Sequence, residues 1–108
     1  MIHAHKVTML VLAAALASCA TKLTPGGAQI RSINESDRIE SCNFLGAVTA
    51  KSPEFALTPA QEAEYVLNDA RNKVAAQGGT HMKVITENHG LFTGATMNVE
   101  AYRCGERR

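Results

Sequence analysis

The chain has 108 residues, with 11 Lys and Arg against 10 Asp and Glu and a formal net charge of +1. That balance excludes the basic stripe that nucleic-acid binding requires, and the length bounds the chain to one small domain.

The first segment is a positive start (the α-amino group and Lys6, with His3 and His5), then the apolar run Val7–Ala17, then small residues ending in Leu16-Ala17-Ser18-Cys19. This order is that of a secretory signal. The run is too short to cross a bilayer, which takes about 20 apolar residues. Small residues ending in cysteine resemble the lipobox of bacterial lipoproteins, in which that cysteine becomes the first mature residue and carries the lipids. The competing reading is cleavage at the A-x-A-like Ala15-Leu16-Ala17, which would release a soluble periplasmic protein. The division expected is residues 1–18 signal peptide, 19–27 lipidated cysteine and short tether, and 28–108 a single domain.

The chain contains three cysteines. With Cys19 acylated, Cys42 and Cys104 remain as a pair, and an exported, oxidising compartment favours a bond between them. They lack Cys-x-x-Cys spacing, so a redox-catalytic or thiolate-metal role is not indicated. About 90 residues remain after processing, a length with a thin stability margin.

Ala20–Gly27 contains Thr24-Pro25-Gly26-Gly27 and reads as the tether. Gln29–Ile33 gives a weak strand signal, and Glu35-Ser36-Asp37-Arg38 a polar turn. Ser41–Thr49 is a better strand, with Cys42, Phe44 and Val48 among its side chains. Gly46 marks a bulge or a close backbone approach within it. Phe55 and Leu57 are placed to close one end of the core.

Thr58-Pro59-Ala60-Gln61 supplies an N-cap, proline at the first helical position and a capping-box glutamine. Ala63, Val66, Leu67, Ala70 and Val74 then recur at helical spacing, Asp69 and Lys73 are placed for an i,i+4 pair, and Gly78-Gly79 ends the helix. Thr80–Glu87, with Met82, Val84 and Thr86 on one face, and Ala95–Arg103, with Met97, Val99 and Ala101, fit half-buried strands. Asn88–Gly94 between them reads as a hairpin loop with Leu91-Phe92 at its tip.

A strand–helix–strand unit favours parallel strands, and the hairpin makes the last strand antiparallel to both. The expected fold is therefore α+β: one helix on a small mixed sheet of about four strands, β-β-α-β-β, stapled by one disulfide. Cys42 and Cys104 then fall at the same end of the sheet.

The lipobox, Cys42-Asn43-Phe44-Leu45-Gly46-Ala47-Val48, Asn68-Asp69-Ala70-Arg71-Asn72-Lys73, Gly78-Gly79 and Ala101-Tyr102-Arg103-Cys104 together resemble a family of small Gram-negative lipoproteins of unknown function (YjeI-like). That family is distantly related to the Rcs stress-sensor lipoprotein and to YbjQ-like proteins. The resemblance spans most of residues 19–108 and implies a compact α+β domain at the outer membrane. Ala20 after the cysteine, where an inner-membrane retention signal would show aspartate, agrees. The chain departs from the family in carrying Thr80 after the glycine pair, where asparagine is expected, and in a shortened glycine-rich segment before the last strand. The sensor's second disulfide has no counterpart here, and no catalytic residue carries over.

His81 and His89 match no standard metal-ligand spacing, and a site using them would need a further carboxylate such as Glu87. A small enzyme or metal-binding module built on them is the alternative reading, a soluble periplasmic binding module the other. No catalytic residues, metal or cofactor are expected. Asn68, Asp69, Arg71 and Asn72 form the densest polar group. They serve either as anchors for neighbouring loops and salt bridges or as a recognition patch for an envelope partner, while Leu91 and Phe92 at the hairpin tip either cover the edge of the core or offer a separate protein or lipid contact. The reading reached is a lipid-anchored lipoprotein of the outer membrane, facing the periplasm and palmitoylated at Cys19, that acts by binding in a structural or stress-signalling role.

Overall fold

A computed structural model describes residues 21–34, 40–54, 58–90 and 93–105. The signal segment, Cys19, the Glu35–Arg38 turn, Phe55, Leu57, Leu91, Phe92, Arg107 and Arg108 lie outside the described residues. A short 3-10 turn, Gly27–Gln29, precedes β1 (Arg31–Ser32), β2 (Cys42–Lys51), α1 (Pro59–Ala76), β3 (His81–Gly90) and β4 (Gly94–Cys104). The order across the sheet is β1-β3-β4-β2. β4 is antiparallel to both of its neighbours, and β1 runs parallel to β3. This is the β-β-α-β-β arrangement expected, with one helix on a mixed four-stranded sheet.

β4 is central because its period-2 pattern puts Ala95, Met97, Val99 and Ala101 on one face, all buried. Against them pack Val66, Ala70 and Val74 from α1, Val48 and Ala50 from β2, Met82 from β3 and Ile30. Small residues on both sides let the helix lie close. Ala63, expected in the helical stripe, is exposed.

α1 begins as its capping box dictates. Thr58 Oγ1 accepts from the Gln61 N–H at 3.2 Å, and Gln61 Oε1 accepts from the Thr58 N–H at 3.2 Å. It ends in a Schellman arrangement, with the Gly78 N–H donating to Ala75 O at 2.9 Å and the Gly79 N–H to Val74 O at 3.0 Å. Gly78 has φ +81, where only glycine is free of strain.

Two departures concern the strands. β3 runs on to Gly90, so His89 lies in a strand and the hairpin turn is shorter than the sequence suggests. The expected Met82/Val84/Thr86 buried face also fails: Met82 is buried, but Val84 is 40% and Ile85 51% exposed. A register shift between Val84 and Thr86 breaks the alternation, and α1 lies over β2 and β4 far more than over β3. In β2 a similar shift falls between Phe44 and Gly46, where Gly46 has φ +152. Gly46 therefore marks a bulge, and Phe44 is left 57% exposed on the open side of the sheet.

Cys42 and Cys104 are register partners on the adjacent strands β2 and β4 and are disulfide-bonded, with Cα atoms 4.0 Å apart. Because β4 lies between the two parallel strands, it brings Cys104 directly alongside Cys42.

Candidate functional site: the polar face of the helix

Asn68, Asp69, Arg71 and Asn72 sit midway along α1, and three of the four side chains engage backbone from two other segments. Asn68 Nδ2 donates to Thr21 O at 3.0 Å, and Asn72 Nδ2 donates to Lys22 O at 2.7 Å. Asn72 Oδ1 accepts from the Thr24 N–H at 2.8 Å and from Thr24 Oγ1 at 3.0 Å. The asparagine amide thus offers one donor and one acceptor to an extended backbone, as a neighbouring strand would. Thr24 Oγ1 in turn accepts from the Gly27 N–H at 2.9 Å. The crossing requires glycine: a Cβ on Gly27 would run into Asn72 Oδ1, Leu23 and Thr24. The segment read from sequence as a tether therefore lies along the helix from Thr21 onward. Thr24, Gly27 and the docking itself were missed in the sequence. The available signal was Thr24 three residues before Gly27, the spacing of a side-chain-closed turn.

Asp69 and Lys73 form the expected i,i+4 pair at 2.9 Å, and each also reaches β2. Asp69 Oδ2 accepts from the Lys51 N–H at 2.9 Å and Lys73 Nζ donates to Thr49 O at 3.0 Å. β2 is an edge strand, so an ion pair occupies backbone groups that another strand would otherwise bind. Arg71 Nε is buried and has no hydrogen-bond partner among the described residues.

The other face of the sheet is open. Thr49 Oγ1 donates to Asn98 Oδ1 at 2.9 Å and Asn98 Nδ2 donates to Thr86 Oγ1 at 2.8 Å, a polar ladder across β2, β4 and β3. Near the disulfide, Phe44 meets Tyr102 edge-on at 5.7 Å. Tyr102 donates to Glu100 Oε1 at 3.0 Å. Burial of the ring, and then the bond to and charge of Glu100, raise its pKa above the ordinary tyrosine value of 10.0. Thr80 Oγ1 accepts from the Cys104 N–H at 2.9 Å and so braces the disulfide end of β4. Arg103 Nε donates to Gly78 O at 2.9 Å, tying β4 to the helix end.

The histidines do not converge. Both lie on β3, and at about 3.3 Å per residue they stand roughly 26 Å apart. His81 bonds Thr80 Oγ1 at 2.8 Å. His89 Nε2 lies 3.1 Å from Glu87 Oε1, and its Nδ1 lies 4.0 Å from Glu62 Oε2. His89 and Glu62 line a shallow open depression of about 320 Å³ with Pro59 and Gly90. No group of three metal-ligating side chains occurs among the described residues, and none of their helices is long and apolar enough to cross a membrane. Compared with known proteins, the chain matches no family model, no curated protein and no solved structure.

Proposed function

We propose that this chain is a bacterial lipoprotein, acylated at Cys19 and held at the periplasmic side of the outer membrane, where it acts by binding in a structural or stress-signalling role. The observation that carries the reading is the N-terminal order of positive start, short apolar run and Leu16-Ala17-Ser18-Cys19. The Cys42–Cys104 disulfide supports it, since such bonds persist in oxidising compartments. The resemblance to the YjeI-like lipoproteins points the same way, and in this reading an envelope protein is the partner.

Intact mass measured on the membrane fraction tests this, comparing the wild type with Cys19→Ser. A mature chain beginning at Cys19, with acyl mass and resistance to thiol-blocking reagents, is the expected result. A soluble chain cut after Ala17 overturns the anchor and leaves a soluble periplasmic binding module. An enzyme or metal module built on a shared His81/His89 site finds no support in two imidazoles at opposite ends of one strand.

A further inference from the structure

The strongest unassigned feature is where the docked segment begins. Thr21 is already held by Asn68, and Lys22 and Thr24 by Asn72. A Cβ added at Gly26 would meet Ala75 Cβ at 3.4 Å, and Ile30 enters the core at 5% exposure. From Thr21 onward the chain is an arm of the fold. Only Ala20 then separates this arm from Cys19, two residue steps with a reach of at most about 7 Å.

We infer that the face of α1 carrying Asn68 is a bilayer-docking surface, held there by the short arm; this rests on acylation of Cys19. The headgroup layer of one leaflet is about 5–7 Å thick. An acylated Cys19 sits at its inner boundary, so Thr21 and the Asn68 that grips it are confined to headgroup depth. Were the arm free as far as Gly27, the same anchor would allow roughly 26–29 Å of reach, and the domain could leave the surface. Asn68 and Asn72 therefore decide between a domain seated on the membrane and one floating above it. Lys22, exposed on the arm, lies where anionic headgroups favour a cation. Covalent reach sets the orientation more than charge does, since the exposed Glu64 stands one turn away from Asn68.

Tyr65 lies one turn before Asn68 on the same side of α1, and the chain has no tryptophan. Tyr65→Trp in the full acylated chain thus provides a lone fluorophore. It is reconstituted in phosphatidylethanolamine–phosphatidylglycerol vesicles with lipids brominated near the top of the acyl chains. Strong quenching is expected, falling severalfold when Asn68→Ala and Asn72→Ala are added. An acylated chain without quenching, or with equal quenching in the clamp variant, overturns the docking surface alone. A chain lacking acyl mass overturns the anchor and this surface together. Hydrogen exchange tests the clamp separately, in the unacylated Cys19→Ser chain and without altering the helix. The Thr24 and Gly27 amides should be protected at least about tenfold over an unstructured chain, and unprotected amides there would refute the clamp.

Discussion

Breaking the disulfide is the perturbation whose size the structure best defines. Cys42 and Cys104 are separated by 62 positions, so their bond closes a loop containing β2, α1, β3 and most of β4. In the chain-entropy model a loop of this length is worth about 4 kcal/mol through restriction of the unfolded chain. A domain of this size has a total stability of roughly 4–13 kcal/mol, so the bond accounts for a third or more of it. The variant Cys42→Ser/Cys104→Ser, made in a Cys19→Ser background to avoid an odd thiol, should lose roughly 15–30 °C in Tm by circular dichroism. Its native fold should otherwise persist, because the Phe44–Tyr102 contact and the Thr80 bond to the Cys104 N–H still hold that end of the sheet. A fall of less than about 5 °C would refute the reasoning. It would mean that the unfolded chain is already compact enough for the cross-link to remove little entropy.

Other perturbations read other parts of the molecule. Asn72→Ala removes three hydrogen bonds to the arm and should cost about 2 kcal/mol in urea unfolding, with exchange at Thr24 rising before any core amide responds. Gly79→Ala would place a Cβ 2.6 Å from Val74 Cγ1 and 3.0 Å from Val74 O; the forced shift of the helix end should lower stability by about 1–3 kcal/mol. Asp69→Ala should cost about 1 kcal/mol and speed exchange of the Lys51 amide, while leaving β4 amides protected. Tyr102 has a folded pKa raised above its unfolded value, so its contribution is fully present below pH 10 and is lost as pH rises through the higher folded pKa. Alkaline titration of the wild type should therefore show falling stability above pH 10, with that slope reduced in Tyr102→Phe.

Elements whose signals are local were legible in the sequence. The capping box, the Gly78-Gly79 stop and the unbroken alternation of Ala95 to Ala101 each depend on neighbours within a few positions, and all appear where expected. The disulfide was legible because cysteine count and strand direction agreed. Failures arose where a distant segment decides the outcome. The alternation in β3 predicts a buried Val84, but the register shift at that point and the placement of α1 over β2 and β4 override it. The spacing of Asn68, Asp69 and Asn72 marked a polar cluster, but its partners lie 18 to 50 positions away. Spacing along a helix carries no information about what crosses it. Thr24-Pro25-Gly26-Gly27 reads as a linker by composition because turn residues serve docked arms and free tethers alike.

One helix face therefore does two structural jobs that share no residues. Asn68 and Asn72 hold the arm that leads toward Cys19, whereas Asp69 and Lys73 close the outer edge of β2. This division bears on binding, because α1 and the open sheet face lie on opposite sides of the domain. In the proposed seating, with the Asn68 face on the bilayer, the Thr49–Asn98–Thr86 ladder and exposed Phe44 point away from it. Releasing the arm would leave those groups intact but remove their fixed orientation. On the proposed function, Asn72→Ala and a substitution on the open face should therefore impair binding by separable routes: the first restored by an independent surface tether, the second not. Loss of function in Asn72→Ala that no such tether restores would show that the arm matters for something other than position.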